Sequence, residues 1–457
     1  MSQIKLTPLG GLYEFGNQSY LYRLDNTAVL VDAGAFFEDE KQGEINTRLM
    51  PDYNVLKDLK NLDAILITHN HEDHIGGLTY LLEKFPRTPV YCSPFVADNI
   101  LIRARLEGLN VSNLARRIHK VGEYTPIAIQ KNFRVEFLPV DHSVPEACMI
   151  YITTPQGNIL HTGDWRYNRT DSAFTNKLHK IERNGLLALV ADSTGINNTR
   201  DDLYSEEQIY KGLEKVYLKN KNAHKSFIFT TFSTHVERIA SICKLAKKYT
   251  RRDPSFMGTS LLVNQIPAID RKMLPIRSID IAKEVIPNNR FYIVSGSQAE
   301  PGSFLMKVIS GEKYIEGKAC IVMSASEIPS RKEKIHKMID VLSGRGHTII
   351  QNDAENLTHM SGHATRSDME TLICTTRPQI YIPIHGEDYH LKGAEELAIQ
   401  ARVPNVVRLN KVGDTVSFAK RVNPSVKEDF PCKKIAVQQN FDPMVLKELI
   451  AQNYRKG

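Results

Sequence analysis

The sequence predicts an α/β protein in which a domain of short strands is interrupted by a second, layered α/β domain. Short apolar or alternating segments bounded by Gly, Asn or Asp fill the first part of the chain, as is typical of strands joined by turns. From Asn197 the pattern changes to amphipathic helices alternating with single buried strands. The short-strand pattern returns near Cys374, which indicates that the first domain resumes there.

These changes divide the 457 residues into four predicted segments. A chain of this length exceeds what one ordinary compact core holds, so more than one lobe is expected. Residues 1–196 and 375–430 are predicted to form two parts of one domain, residues 197–374 an inserted domain, and residues 431–457 a C-terminal tail.

The elements of the first part follow from local pattern. The apolar segment AILITH predicts a buried strand that runs straight into His69. The following residues 72–85 have helical periodicity, with apolar side chains on one face. The other predicted strands are KLTPLGG, SYLYRL, TAVLVDAG, PVYCS, RVEFLPV, CMIYITT, NILHTGD and LLALVAD.

In the inserted segment, SEEQIYKGLEKVYLKN predicts an amphipathic helix capped by Ser205. HVERIASICKLAKKY predicts a second helix. The predicted strands of this segment are FIFTTF, FYIVSGSQ, ACIVMSAS and HTIIQNDA. Beyond Cys374, QIYIPIHGE and VVRLNKVGDTVSF are predicted strands of the resumed first domain.

Composition is that of a globular protein, with 42% hydrophobic and 24% charged residues. The formal charge of +7 is mild, so it permits an anionic partner without requiring one. Six cysteines without a CxxC pair, no signal-like N-terminus and no membrane-length apolar run predict a reducing, cytoplasmic location and no membrane partner.

The strongest chemical signal is His69-Asn70-His71-Glu72-Asp73-His74, at the end of a strand and the start of a helix. His69 and His71 point to one side of an extended segment because strand side chains alternate. After the turn, Asp73 and His74 can face a second point nearby. Imidazole nitrogens and carboxylate oxygens bind zinc or manganese, so this density of ligands predicts two metal ions rather than one.

Two ions need further ligands, and candidates follow later strands. His142 follows RVEFLPV, Asp164 follows NILHTG and His385 follows QIYIPI. Each alone would be a weak signal, but three such residues in addition to the HNHEDH motif indicate one shared site. Asp32, at the end of another strand, is predicted to orient a ligand imidazole.

Together, HxHxDH, the later His, the Asp of TGD and the final His resemble the metallo-β-lactamase fold. The insertion followed by HMSGHA and PIHGE is similar to the β-CASP nucleases, and GSQAEP, SASEIP and GDW are similar to the bacterial ribonuclease J group among them. The resemblance extends from Lys5 to Phe418. It implies a metallo-β-lactamase αββα sandwich with an inserted β-CASP α/β domain.

The resemblance also implies a role for each motif residue. One ion would be held by His69, His71 and His142, and the other by Asp73, His74 and His385, with Asp164 bridging. The implied cofactors are two divalent ions, zinc in preference to manganese. Asp73, Asp192 and His363 would be catalytic, with His363 donating a proton and Asp192 holding its other nitrogen.

Two further segments match substrate-phosphate loops of the family. Their residues are Thr234, His235 and Val236 in one segment and His359, Met360, Ser361, Gly362 and His363 in the other. The chain departs from the family at Asn70, where glycine is usual, and at His235, where asparagine is usual. The family's further C-terminal domain is expected to be missing after residue 430.

The implied function is a metal-dependent ribonuclease that cuts RNA by 5′-to-3′ exonuclease and endonuclease cleavage in RNA processing and decay. Two metals sharing one water would lower its pKa from 15.7 toward about 7, which makes hydroxide available at neutral pH. The expected partner is single-stranded RNA with a preferred 5′-monophosphate end, and the inserted lobe is expected to form one wall of its cleft. The resemblance also admits a homo-oligomer.

Three alternatives remain at this stage. A thioester-type small-molecule hydrolase could use the same ligands, but it has no need of a long insertion with its own histidine motif. A binding subunit without catalysis should lack ligands, and no ligand is missing. A DNA-directed nuclease would use the same metal-ligand chemistry. One sequence does not identify the contacts to the ribose 2′-OH that distinguish RNA from DNA.

Overall fold

The computed structural model describes most of the chain as two compact units. The described residues are 2–37, 47–59, 61–168, 171–198, 205–276, 280–281, 285–287, 290–328, 331–428, 430–438 and 442–453. The first unit comprises residues 1–142, 146–201 and 362–441, and the second unit comprises residues 143–145, 202–361 and 442–457.

The part of the chain that precedes the long insertion contains mostly short strands. These strands are β1 (Ile4–Gly10), β2 (Ser19–Leu24), β3 (Thr27–Val31), β4 (Phe36–Phe37), β5 (Thr47–Pro51), β6 (Ala64–Leu66), β7 (Val90–Cys92), β8 (Ile118–Lys120), β9 (Ile127–Ile129), β10 (Phe133–Pro139), β11 (Cys148–Thr154), β12 (Gly157–His161) and β13 (Leu186–Asp192). The helices are a 3-10 turn (Tyr53–Asp58), α1 (Glu72–Ile75), α2 (Leu78–Lys84), α3 (Pro94–Leu106), α4 (Val111–Ala115) and α5 (Ser172–Asn184).

The insertion alternates helices and strands. Its elements are α6 (Glu206–Asn220), β14 (Ser226–Thr230), α7 (Val236–Thr250), β15 (Ser255–Met257), α8 (Thr259–Asp270), β16 (Asp280–Ile281), β17 (Val285–Ile286), β18 (Phe291–Val294), α9 (Phe304–Ser310), β19 (Tyr314–Ile315), β20 (Ala319–Met323), α10 (Lys332–Gly344) and β21 (Thr348–Ile350). The remaining elements are α11 (Arg366–Thr376), β22 (Ile380–Ile384), α12 (Asp388–Gln400), β23 (Asn405–Val406), β24 (Asp414–Ala419), β25 (Val422–Glu428), β26 (Lys434–Gln438) and α13 (Pro443–Asn453).

The first unit is a sandwich of two sheets, with strand orders β25-β24-β1-β2-β3-β6-β7-β8 and β23-β22-β13-β12-β11-β10-β9. Alternate side chains of each strand face opposite sides. In β3, Val29 and Val31 pack between the sheets, where they join Val190 and Ile382 of the second sheet. Ala28 and Leu30 of β3 do not belong to that cluster, because they face the outer side.

Helices cover both outer faces of this sandwich. Leu78 of α2 and Ile100 of α3 pack on the first sheet. Leu178 of α5, Leu372 of α11 and Leu397 of α12 pack on the second. The order helix, sheet, sheet, helix confirms the predicted αββα architecture.

The second unit is built on the sheet β16-β15-β18-β14-β20-β21, whose strands are all parallel. Leu305 of α9 and Met338 of α10 pack with Ile321 of β20 in its core. Ser205 and Gln208 form a capping box at the start of α6, which confirms Ser205 as the predicted N-cap. The inserted segment therefore has the predicted α/β fold.

Among the described helices, none combines the length and apolar character that crossing a membrane requires.

The single helix predicted over residues 72–85 is wrong in one respect. Two helices occupy the segment, α1 and α2, because Gly76 and Gly77 lie between them. A Cβ on Gly76 would lie 2.4 Å from the Glu72 carbonyl oxygen and 2.7 Å from the Ala35 side chain. The break lets α1 pack close against the segment that follows β3.

Gly34, in that segment, holds α1 by close backbone approach. The Gln18 amide donates to the Asp73 carbonyl oxygen (2.8 Å), and the Ala33 amide donates to the His74 carbonyl oxygen (2.8 Å). A Cβ on Gly34 would lie 1.6 Å from the Asp73 carbonyl oxygen. Only glycine therefore allows the backbone that carries Asp73 and His74 to lie here.

We expect Gly34→Ala to lower the free energy of unfolding of the first unit by about 2 kcal/mol or more, because the added methyl collides with backbone that cannot move alone. The measurement is urea unfolding followed by the fluorescence of Trp165, the protein's one tryptophan, which is buried in this unit. Gly344→Ala is the control, because a Cβ at Gly344 meets nothing within 4 Å. A Gly34→Ala midpoint equal to that of the wild type would contradict the assignment.

Candidate metal centre

The ligand candidates lie where strands of both sheets end. His69 follows β6, and His71 precedes the first residue of α1. His142 follows β10, Asp164 follows β12 and His385 follows β22. All seven predicted ligands come together in two donor groups that share Asp164.

The first donor group contains His69, His71, His142 and Asp164. His71 Nδ1 lies 3.1 Å from His69 Nε2 and 3.1 Å from His142 Nε2. Asp164 Oδ2 lies 3.7 Å from His69 Nε2 and 3.8 Å from His142 Nε2. Ligands at 2.0–2.1 Å from a tetrahedral zinc ion are separated by about 3.3–3.4 Å, so these four atoms fit one such ion.

The second donor group contains Asp73, His74, Asp164 and His385. Asp164 Oδ1 lies 3.3 Å from His74 Nε2 and 3.5 Å from His385 Nε2. Asp73 Oδ2 lies 3.6 Å and 3.3 Å from the same two nitrogens. The spacing again matches a tetrahedral edge of about 3.3–3.4 Å. Asp164 therefore gives one carboxylate oxygen to each group.

Within the part of the chain that the structure describes, two atoms of the second group have no hydrogen-bond partner. His74 Nε2 and Asp164 Oδ1 are buried, and neither makes a hydrogen bond of acceptable geometry although they lie 3.3 Å apart. Buried polar atoms are normally satisfied by a hydrogen bond or by a metal. A cation that replaces the proton between them would satisfy both atoms, so the residues fit a bound cation.

Asp32, which the sequence predicts to orient a ligand imidazole, contacts His74. Its Oδ2 lies 2.7 Å from His74 Nδ1, and its Oδ1 accepts from the Thr68 amide at 2.8 Å. With Nδ1 directed to the carboxylate, Nε2 is the nitrogen turned to the second donor group. Asp32 has a φ of 61°, in the left-handed region, so the chain turns sharply where β3 ends.

Other ligand rings are held in the same manner. His142 Nδ1 donates to the Gly362 carbonyl oxygen at 2.8 Å. His385 Nδ1 lies 2.7 Å from the Thr194 hydroxyl, a partner that the sequence did not indicate. Each contact fixes which ring nitrogen faces the donor group.

The three imidazoles of the first group are neutral at pH 7. Burial lowers the pKa of His69 and His142 well below the ordinary histidine value, and it lowers the pKa of His71 to about 4. A neutral imidazole presents the lone pair that a metal binds. This group is thus electrostatically prepared for a cation.

The second group has the opposite charge pattern. Burial lowers the pKa of His74, but the carboxylates, Asp164 first, outweigh burial and raise it well above the ordinary value. Burial raises the pKa of Asp164, yet His385 and His74 hold that pKa well below its usual range. The buried carboxylates therefore require positive charge, which divalent cations on the same nitrogens would supply.

His363 lies beside the shared carboxylate and pairs with Asp192. Its Nδ1 is 2.9 Å from Asp192 Oδ2, and its Nε2 is 3.8 Å from Asp164 Oδ2. Burial lowers the pKa of His363, whereas Asp192 and Asp164 raise it to about 9. Its ring can therefore carry a proton at neutral pH.

Comparison with known families accounts for most of the chain. Residues 12–203 match the family described as "Metallo-beta-lactamase superfamily". Residues 224–342 match "Ribonuclease J, beta-CASP domain", and residues 350–407 match "Zn-dependent metallo-hydrolase RNA specificity domain".

Sequence identity to known ribonucleases shows the family. Ribonuclease J of Sinorhizobium meliloti is 31% identical over 438 residues, which cover 89% of this chain and 73% of that protein. The chain belongs to the ribonuclease J family. Ribonuclease J of Synechocystis is 29% identical over 91% of this chain and 66% of the relative, and that of Helicobacter pylori strain 26695 is 28% identical over 92% and 62%. The chain thus spans about two thirds of the length of these relatives.

A solved structure supports the fold alone. A protein of unknown function from Enterococcus faecalis V583 is similar with a TM-score of 0.60 and 15% identity, covering 91% of this chain and all of that one. Family membership confirms the predicted class, a metal-dependent ribonuclease, and favours none of the alternatives. The chain is a member of a metallo-hydrolase family, and its histidine and aspartate clusters are able to bind metal.

The phosphate-binding residues predicted from the ribonuclease J resemblance are divided between the two units. The second unit contains Thr234, His235, Val236, His359, Met360 and Ser361, and the first contains Gly362 and His363. Within the second unit, the rings of His235 and His359 lie 6.3 Å apart, edge to face. Their role in binding phosphate remains a prediction.

Arg238, which the sequence analysis missed, organises this part of the second unit. The side chain is fully buried and belongs to the first turn of α7. It donates to both carboxylate oxygens of Glu206 (2.8 and 3.1 Å), to Ser324 Oγ (2.6 Å) and to the Thr358 carbonyl oxygen (2.8 Å). Arg238 thus ties α6, the loop after β20 and the segment before His359 to one guanidinium.

A second missed group supports the loop that carries the candidate ligands. Glu72, inside the HNHEDH motif, contacts Arg48 Nε at 2.6 Å and Arg103 Nη2 at 2.5 Å. Glu107 pairs with both arginines, at 3.2 and 3.3 Å. Burial raises the pKa of Glu72, but Arg103 and Arg48 outweigh it, so the pKa lies below the ordinary value. Glu72 therefore anchors α1 while Asp73 faces the donors.

We expect Asp32→Asn to weaken divalent metal binding by about 10–100-fold, because the amide cannot hold His74 as the carboxylate does. Competition of the protein with a chromogenic chelator for zinc measures this. Asp25→Asn is the matched control, since Asp25 also has positive φ (54°) but lies in an exposed turn. Equal affinity in Asp32→Asn and wild type would show that Asp32 does not orient a ligand.

We expect Arg238→Met to destabilise the second unit by about 3–5 kcal/mol, because it leaves the Glu206 carboxylate without its buried partner. Hydrogen exchange of the α7 amides should then accelerate. Lys244→Met changes an exposed cation of the same helix and should leave exchange unchanged. Unaltered α7 protection in Arg238→Met would contradict the organising role.

Proposed function

We propose that this member of the ribonuclease J family hydrolyses RNA phosphodiester bonds with two divalent cations, zinc in preference to manganese. The observation that carries the proposal is the pair of donor groups joined by Asp164, with His363 beside them. Two cations, when bound, would lower the pKa of a shared water and draw charge from the phosphate oxygens.

The chain's own residues supply orientation and a proton. Asp32, Thr194 and the Gly362 carbonyl oxygen fix the ligand rings, so the donors need little rearrangement during reaction. Asp73 lies 3.3 Å from His385 and is held ionised beside His74 and His385.

His363 is the proposed proton donor. When water attacks phosphorus and the bond to the ribose oxygen breaks, that oxygen must gain a proton. Asp192 Oδ2 holds His363 Nδ1 at 2.9 Å, which leaves Nε2 as the donating nitrogen. After the transfer, the neutral ring can regain a proton from solvent.

RNA end recognition is proposed from the family resemblance together with the second unit. Histidine, serine and backbone N–H groups at Thr234–Val236 and at residues 359–363 are suitable partners for phosphate oxygens. We propose a preference for a 5′-monophosphate end, 5′-to-3′ exonuclease action and endonuclease cleavage. The "RNA specificity" family match over residues 350–407 supports RNA rather than DNA as substrate.

The setting of this activity is proposed to be cytoplasmic RNA processing and decay, with a homo-oligomer as an allowed assembly. All six cysteines are free thiols, as expected in a reducing compartment.

We expect His363→Ala to lower kcat on 5′-monophosphorylated RNA by about 10²–10⁴-fold with little change in KM, because it removes the proton donor. End-labelled RNA with a 5′-monophosphate or 5′-triphosphate, and DNA of the same sequence, would be incubated with the metal-loaded enzyme. Products shortened one nucleotide at a time from the monophosphate RNA would establish the exonuclease mode.

His179→Ala, an exposed histidine of α5, is the control for this experiment. An unchanged kcat with a raised KM in His363→Ala would assign that residue to binding instead. If no added metal supports RNA cleavage by the wild type, the proposed function is wrong. Chelation should also lower the melting temperature of the wild type, because the clustered carboxylates lose their cations.

A further inference from the structure

A cavity of about 120 Å³ lies in the second unit, lined by residues that follow three parallel strands. Ser297 follows β18, Ser326 and Glu327 follow β20, and Gln351 and Asn352 follow β21. In the sheet, β18 and β20 lie on opposite sides of β14, so the chain reverses its direction of winding here. Ligands of parallel α/β sheets bind at the carboxyl ends of the strands at such a reversal.

The size and apolar walls of the cavity suit one flat ring. Met323 and Ile335 form part of the lining. A cavity of about 150 Å³ accepts a benzene-sized ligand, so about 120 Å³ admits a single six-membered ring but not a dinucleotide.

Ser297 supplies the cavity with a buried hydroxyl donor. Its side chain is 2% exposed, and its hydroxyl has no hydrogen-bond partner among the residues that the structure describes. A buried hydroxyl without a partner costs about 1–3 kcal/mol, which a ligand that accepts its proton would recover.

Ser326 is set as a donor by its neighbours. Arg238 Nη1, which can only donate, lies 3.4 Å from His359 Nδ1, so that nitrogen accepts. His359 Nε2 then carries the hydrogen and donates to Ser326 Oγ at 2.7 Å. The Ser326 hydroxyl hydrogen is thereby directed elsewhere, and Ser326 lines the cavity.

The other polar side chains that line the cavity include both hydrogen-bond donors and acceptors. Asn352 Oδ1 accepts from the Thr358 and His359 amides, both at 2.9 Å, which leaves its NH₂ as a donor. Gln351 Nε2 donates to Glu327 Oε1 at 3.3 Å, which leaves Gln351 Oε1 and Glu327 Oε2 as acceptors. The cavity thus offers donors and acceptors to one planar ligand.

We propose that this cavity binds the base of one unpaired pyrimidine nucleotide of the RNA substrate. A pyrimidine edge carries alternating donors and acceptors on a six-membered ring, and single-stranded RNA is recognised through such splayed bases. The Glu327 carboxylate disfavours a phosphate and accepts readily from a base amino or imino group. This inference rests on the proposed ribonuclease function.

The test compares kcat/KM for 5′-monophosphorylated oligo(C), oligo(U) and oligo(A) of equal length. The wild type should favour the pyrimidine polymers by about tenfold, the scale of one good base contact. Ala325→Leu places a larger side chain at the cavity wall and should bring the pyrimidine-to-adenine ratio close to one. Glu327→Gln is the second variant and should reduce the same ratio without adding bulk.

Ala223→Leu, on an exposed turn of the same unit, is the matched control and should keep the wild-type ratio. A pyrimidine preference that is absent from the wild type, or that persists in both cavity variants, would overturn the inference. A change that follows the 5′-phosphate rather than the base would overturn it in favour of a phosphate site. If the wild type cleaves no RNA, the proposed function fails, and base discrimination in fluorescence anisotropy of RNA binding still tests the cavity.

Discussion

The shared carboxylate of Asp164 is the constraint on which the first unit depends. Its side chain is 2% exposed, and each oxygen belongs to a different donor group. Burying a carboxylate beside a second one, Asp73, is unfavourable unless positive charge compensates both. The pKa shifts at His74 and His385 express this demand, because the carboxylates hold protons on imidazoles that burial alone would leave neutral.

The sandwich meets this demand through strand direction. In the second sheet, β10 and β12 are both antiparallel to β11, and β12, β13 and β22 are mutually parallel, so β10, β12, β13 and β22 end at the same edge. In the first sheet, β3 and β6 are parallel and likewise end together. Residues that are far apart in sequence therefore converge only because the two sheets bring their carboxyl ends to one place.

This geometry explains how much could be predicted from the sequence. Apolar runs predict the strands. A histidine or aspartate directly after three of these strands, taken together with the HNHEDH motif, indicates His142, Asp164 and His385 as candidate ligands. Thr194 could not be found in this way, since a threonine after a strand has no distinctive signal until His385 is placed 2.7 Å from it. Arg238 lies among ordinary helical residues, and only the fold shows that its guanidinium is buried against Glu206.

The backbone at the candidate metal centre is strained at two residues whose side chains face the donor groups. Asp32 and His385 have φ values of 61° and 57°, a region that costs a non-glycine residue roughly 1–2 kcal/mol. Asp32 is compensated by hydrogen bonds from the Thr68 amide and hydroxyl, both 2.8 Å. The backbone amide of His385 donates a hydrogen bond to the Gly11 carbonyl oxygen at 2.9 Å, and its ring contacts the Thr194 hydroxyl. These contacts compensate the strain at His385. Because each strained residue aims a side chain at Asp164 or its partner His74, the strain supports the same charge arrangement that the cations would complete.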